Sequence, residues 1–202
     1  MSSVAIVDTG AGNFFGVRRA FRQIGRRARL TRDPATLRAA TLVVLPGVAS
    51  FTATCRGLDG VRAPLLARQR RGRAILGVCA GFQAFATASD EGPGRGLGFT
   101  AQRVRALRAA RCPHIGWSPL TLRPDAVFEG LGPDRPWALF AHSFAFPPTA
   151  QGLLASADLD GVPFTAVARW GSAVGVQFHP ELSGPVGRRL LSNILQWAEG
   201  GG

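Results

Sequence analysis

The chain has 202 residues, a formal net charge of +12, and 46% apolar against 18% charged residues. That balance fits one globular domain with a full core and excludes a disordered chain. No apolar run approaches the roughly 20 residues that span a bilayer. All 24 basic side chains are Arg and Tyr is absent, a skew that a GC-rich genome produces. The arginines scatter in runs such as Arg18, Arg19, Arg22, Arg26 and Arg27, or Arg68, Arg70, Arg71 and Arg73, without interleaved aromatics. Neither nucleic acid nor membrane is therefore an expected partner.

From the N-terminus, Val4 to Val7 reads as a strand, not as part of a secretory signal, and a cytoplasmic location is the expectation. A turn through Asp8-Thr9-Gly10-Ala11-Gly12-Asn13 follows. Residues 14 to 24 then place Val17, Phe21 and Ile24 on one helical face, with Gly25 as the stop. A short strand near Ala28 to Leu30 and a helix near Pro34 to Ala40 come next. Thr41 to Leu45 and Ala74 to Val78 are apolar throughout, as strands covered on both faces of a parallel sheet are. A helical stretch through Leu65, Leu66 and Gln69 lies between them. From Gly98 to Arg169 the pattern shortens and alternates. Strands are expected over 102–107, 118–122, 137–146, 153–156 and 164–170, as antiparallel or mixed additions. Ala173 to Phe178 is a last core strand and Val186 to Trp197 a closing helix. The expectation is one α/β domain over residues 1–199, in three layers. A mostly parallel central sheet carries helices on both faces and extra antiparallel strands, in the flavodoxin-like manner. Residues 200–202 form a frayed tail.

Cys55, Cys79 and Cys112 are an odd set with no CxxC spacing, so reduced thiols are expected and no metal site or cofactor. Cys79 stands out. It lies in Gly77-Val78-Cys79-Ala80-Gly81, where an apolar strand runs into a helix through small residues, the pattern of a nucleophile elbow. A helix N-terminus there would favour the thiolate through its macrodipole. Taken alone, the pentapeptide fits a buried Cys at a tight turn equally well. Gly175-Val176-Gln177-Phe178-His179-Pro180-Glu181 adds a His and a carboxylate after a second core strand. Parallel strands bring such tips together. His179 can then serve Cys79 as acid and base, with Glu181 orienting the imidazole.

These two segments resemble the signature motifs of the class I (triad) glutamine amidotransferases. The combination is most similar to the glutaminase subunits of imidazole glycerol phosphate synthases, of the HisH type. Val7 to Asn13, Leu45-Pro46-Gly47-Val48-Ala49-Ser50-Phe51, Pro113-His114-Ile115-Gly116-Trp117 and Phe140-Ala141-His142-Ser143-Phe144 carry the narrower match, in family order from residue 4 to about 197. The resemblance implies glutamine as substrate and Cys79, His179 and Glu181 as the triad. It implies an oxyanion hole from Gly47, Val48 and Ala80, and substrate contacts from Gln83, His142 and Ser143. A partner interface including Asn13, Pro113 and Trp117 would face a (β/α)8-barrel cyclase of the HisF type. Thr9, Phe14-Phe15-Gly16, Ala49, Leu139 and Leu182 depart from the family pattern. Ala49 bears on a backbone reorientation in the oxyanion segment, because Ala tolerates positive φ poorly. The competing readings are a paralogue feeding ammonia to another synthase, an inactive scaffold of the same fold, and another kind of cysteine hydrolase.

Overall fold

The computed structural model describes residues 3–132, 135–148 and 152–201. Among them one sheet holds eight strands, in the order β2 (Ala28–Thr31), β1 (Val4–Val7), β3 (Leu42–Leu45), β4 (Ile75–Val78), β12 (Ala173–Val176), β11 (Val162–Trp170), β10 (Leu153–Leu159) and β7 (Thr121–Leu122). The first five are mutually parallel, and the last three join antiparallel. β1, β3, β4 and β12 are buried at every position, which is why their sequences run apolar without alternation.

Alternate residues of those strands feed two cores. On one face Val4, Ile6, Val44, Leu76 and Val174 meet Val17 and Phe21 of α1 (Phe14–Gln23) and Leu190, Leu191 and Ile194 of α6 (Gly184–Glu199). On the other, Ala5, Val7, Val43, Leu45 and Ile75 meet Leu37 of α2 (Pro34–Ala39), Leu65 of α4 (Arg62–Arg70), and Phe82 and Phe85. The helices start where side chains can cap them. Asn13 accepts from Gly16 N–H, Asp33 from Ala35 and Thr36 N–H, and Ser50 from Ala53 N–H at the head of α3 (Phe51–Gly57).

Arg68, from one of the basic runs, points inward at 3% exposure and donates to the carbonyls of Ala74, Leu37 and Thr41. Burial, then the neighbouring Arg73 charge, lowers its pKa to about 10.

Two short ribbons stand apart from the main sheet. β6 (His114–Pro119) pairs with β8 (Trp137–His142), and β5 (Arg105–Ala106) with β9 (Phe144–Ala145). The sequence over-reads here. The strand expected over 102–107 shrinks to two exposed residues. The one expected over 137–146 breaks at Ser143, and that over 118–122 is split between β6 and β7. No helix among the described residues is long and apolar enough to cross a membrane. Of the expected tail, Gly200 closes α6 by donating to Gln196 O, Gly201 follows in a turn, and Gly202 lies outside the described residues.

Candidate active site

β4 and β12 run side by side, Val78 opposite Val176, so their C-terminal ends deliver Cys79 and His179 to one place. Cys79 has φ 51° and ψ −113°, a left-handed backbone rare for a residue with a Cβ. Such a conformation costs about 1–3 kcal/mol and is held by its surroundings. The surroundings here are tight. Cys79 N–H donates to Val176 O at 2.8 Å. A Cβ on residue 81 would stand 1.9 Å from Leu45 O, and one on residue 47 would stand 2.5 Å from Gly81 N. Glycine at 47 and 81 thus lets the β3 exit pack directly on the turn after Cys79. This brings Gly47, Val48 and Ala80 together around Cys79. Ala49 is not among the described residues at positive φ.

The helix after Cys79, α5 (Ala80–Gln83), is one turn long. This corrects the macrodipole expectation, because a dipole summed over four residues is small. The sulfur has polar side chains as neighbours. His179, 4% exposed, lies in hydrogen-bonding reach of Cys79, and its Nδ1 is 3.0 Å from Glu181 Oε1. Burial lowers the pKa of His179, but the hydrogen bonds to Cys79 and Glu181, with their negative charges, outweigh it and raise it to about 10. The imidazole therefore carries its proton through neutral pH beside the sulfur. Asn13 Nδ2 donates to the same Glu181 oxygen at 3.3 Å. The residue expected at a partner interface is engaged with the carboxylate behind His179.

A cavity of about 260 Å³ opens in front of the sulfur, lined by Val48 to Ser50, Cys79, Ala80, Gln83, Glu91, 141–144 and His179. Its size is below the ~300–1,000 Å³ of pockets for drug-sized ligands and suits a small substrate. Gln83, Val48, Ala80, His142 and Ser143 from the expected set are all present. Gln83 is 4% exposed, so it is not a solvated helix position. Its Nε2 donates to Phe144 O at 2.7 Å and to Gln177 Oε1 at 3.3 Å. Gln177 Nε2 in turn lies 3.7 Å from Cys79 Sγ. His142 Nδ1 pairs with Phe144 O at 3.0 Å; burial first, then the His114 charge, lowers its pKa to about 3. Sequence reasoning missed Glu91, which lines the cavity while its Oε2 accepts from Phe51 N–H at 2.6 Å. Nothing in Ser89-Asp90-Glu91-Gly92 marks it, since only the fold carries it there.

Pro113 and Trp117 are not cavity residues. Pro113 is exposed, and Trp117 lies half exposed on the outer face of the β6–β8 ribbon. The register puts Ile115 opposite Ala141, Trp117 opposite Leu139 and Pro119 opposite Trp137, giving one apolar face. Ile115, Trp117 and Trp137 are 75%, 50% and 54% exposed. That face adjoins Cys79 and His179, since Leu139 O accepts from His179 N–H and Ala141 O lies 3.8 Å from Cys79 Sγ.

A parallel α/β sheet with a strained Cys at one strand tip and a His–Glu pair at the next defines a cysteine-dependent hydrolase of the elbow type. The chain belongs to the class-I glutamine amidotransferases, whose family model matches residues 5–197. It is 37% identical over 196 residues to the imidazole glycerol phosphate synthase subunit HisH of Methanothermobacter thermautotrophicus, covering 96% of this chain and 98% of that protein. Against the same subunit of Xanthomonas oryzae pv. oryzae it is 39% identical over 202 residues, covering 97% and 98%. Among solved structures, a glutamine amidotransferase matches with TM-score 0.76 at 24% identity over 96% of this chain and 98% of that one. PurLQS from Thermotoga maritima matches with TM-score 0.75 at 19% identity over 97% and 98%. At those identities the solved structures support the fold alone.

Proposed function

We propose that the chain is the glutaminase subunit of an imidazole glycerol phosphate synthase, with Cys79, His179 and Glu181 as its catalytic triad. The observation that carries this reading is the buried Cys79–His179–Glu181 line at the mouth of a small cavity. It is joined to near-full-length identity with HisH subunits. The Cys79 thiolate adds to the side-chain amide carbon of glutamine, and the carbonyl electrons move onto oxygen. The Ala80 N–H and, by the family resemblance, the Gly47-Val48 peptide serve as donors to that oxyanion, and losing one such donor typically costs about 100-fold or more in rate. Collapse breaks the C–N bond, and His179 gives its proton to the departing ammonia. Water then adds to the thioester, with one proton passing to His179. Collapse breaks the C–S bond, restores the Cys79 thiolate and releases glutamate, whose new carboxyl gives its proton to solvent. Glu91, a carboxylate on the cavity wall, suits the α-ammonium of the amino acid.

Ammonia released into bulk water is protonated and ceases to be a nucleophile, so the product is best handed directly to a second active site. The apolar face of Ile115, Trp117 and Trp137 beside the sulfur supports a protein partner at that point, because monomers rarely leave such patches to solvent. The partner is a (β/α)8-barrel cyclase of the HisF type, and glutamine nitrogen enters imidazole glycerol phosphate with release of AICAR. Of the departures from the family pattern, Phe15 and Leu182 are exposed and Leu139 lies on the β6–β8 face, so these three bear on the choice of partner. Glutamine hydrolysis measured for the chain alone, then with its host's cyclase and nucleotide substrate, tests the reading. Strong stimulation is expected; no stimulation with that cyclase transfers the ammonia to a different synthase.

A further inference from the structure

We propose that Gln177 is a positioning residue of the glutaminase reaction, donating one end of its amide to the Cys79 sulfur and using the other to fix the face that Gln83 presents to the substrate. This rests on the reading of Cys79 as nucleophile.

Gln177 is fully buried where β12 gives way to the loop carrying His179, and its N–H is anchored on Ala166 O at 2.8 Å. Its side chain bridges two groups that face the cavity. Oε1 accepts from Gln83 Nε2, and Nε2 lies 3.7 Å from Cys79 Sγ, inside the range for a hydrogen bond to sulfur. The orientation is interlocked. Gln83 gives its two amide hydrogens to Phe144 O and Gln177 Oε1, so turning Gln83 over would set its oxygen against two acceptors. Turning Gln177 alone would face its amide hydrogens to those of Gln83 and its oxygen to the sulfur. Only one arrangement satisfies every group. It leaves Gln83 Oε1 as the atom offered to the cavity, an acceptor for a substrate N–H.

The consequence for the sulfur follows from which neighbours donate. Ala141 O, 3.8 Å away, is an acceptor and serves only the protonated thiol. Gln177 Nε2 is a donor and favours the anionic sulfur, as His179 does from its own side. With α5 a single turn long, these side chains take over the role that a longer helix dipole has at other elbow cysteines. Gln177 therefore couples two steps. The same amide that holds the nucleophile's electron pair also holds the substrate-facing oxygen of Gln83.

The test is Gln177→Met, similar in length but without donor or acceptor, alongside Gln177→Leu. Iodoacetamide alkylation of Cys79 is followed against pH and resolved from Cys55 and Cys112 by peptide mass spectrometry. The charged groups facing the sulfur, His179 with Glu181 behind it and Glu91 across the cavity, are unchanged in both variants. The expected result is a profile displaced to higher pH, with the rate at neutral pH lower by about tenfold, the factor for one hydrogen bond to a charged acceptor. In the assembled complex, glutamine KM is expected to rise and kcat to fall, because both ends of the bridge are lost. A profile superimposed on that of the parent chain in whichever variant folds would overturn the proposal. Full hydrolysis by Cys79→Ala would instead overturn the nucleophile reading beneath it.

Discussion

His179 and His142 sit beside the same cavity, both nearly buried, yet they belong to regions built in different ways. His179 follows a parallel strand at the crowded centre of the sheet, and Glu181 and Cys79 hold its proton on. His142 closes the antiparallel β6–β8 ribbon and is ringed by His114, Phe140 and Phe164, with a carbonyl as its polar partner. Its environment keeps it neutral. The parallel half therefore concentrates charge and backbone strain at strand tips. The antiparallel half supplies an apolar wall inward and an apolar face outward. Chemistry sits on the first, and the second decides what the chemistry is exposed to.

The sharpest way to break this division is Cys79→Ala. Glutamine hydrolysis in the complex should fall by on the order of 1,000-fold or more, while circular dichroism shows a folded chain. An unfolded variant would mean that the elbow is structural before it is chemical. The reciprocal variant, Trp117→Ala with Trp137→Ala, should leave Cys79 alkylation of the isolated chain unchanged. It should weaken cyclase binding by about 30-fold or more, as loss of a hot-spot aromatic does, measured by titration calorimetry.

Stability should be more sensitive in the parallel half. A Cβ at Gly175 would stand 1.7 Å from Phe82 Cδ2, so Gly175→Ala should cost about 3 kcal/mol in denaturant unfolding. The two histidines should also respond to pH with opposite signs. The pKa of His179 is raised, so its contribution is complete below about 6.5 and is lost as pH climbs toward about 10. The pKa of His142 is lowered, so the unfolded chain binds its proton first, and stability falls as pH drops from about 6.5 toward about 3. Each arm is worth up to about 5 kcal/mol in unfolding free energy, and Glu181→Gln should shrink the alkaline arm to the share that Cys79 supplies while leaving the acid one. The smallest effect expected is that of His114→Phe, which keeps a ring against Phe140 and loses the bond to Ser118. It should change stability by less than about 1.5 kcal/mol and trim the acid arm.

The same division governs what could be foreseen from the sequence. Val4 to Val7, Leu42 to Leu45 and Ile75 to Val78 announce themselves because burial on both faces demands unbroken apolar runs. Arg105–Ala106 and Thr121–Leu122 pair for two residues each, with partners far along the chain, so no local pattern sets their limits. Ser143 interrupts a run whose composition would carry a strand straight through. In the site, Cys79, His179 and Glu181 were legible because each follows a core strand within a few residues. Glu91 and the bond from Asn13 to Glu181 were not, since both depend on where loops from distant parts of the chain come to rest.

Asn13 splits its amide between two duties. Its oxygen takes the Gly16 N–H that starts α1, and its nitrogen reaches the carboxylate that steadies His179. The carboxylate paired with His179 is thus moored to the head of α1 as well as to the loop after β12. Phe15, two positions along, is 83% exposed. The place of the carboxylate beside His179 therefore depends on where the first turn of α1 begins, as well as on the end of β12.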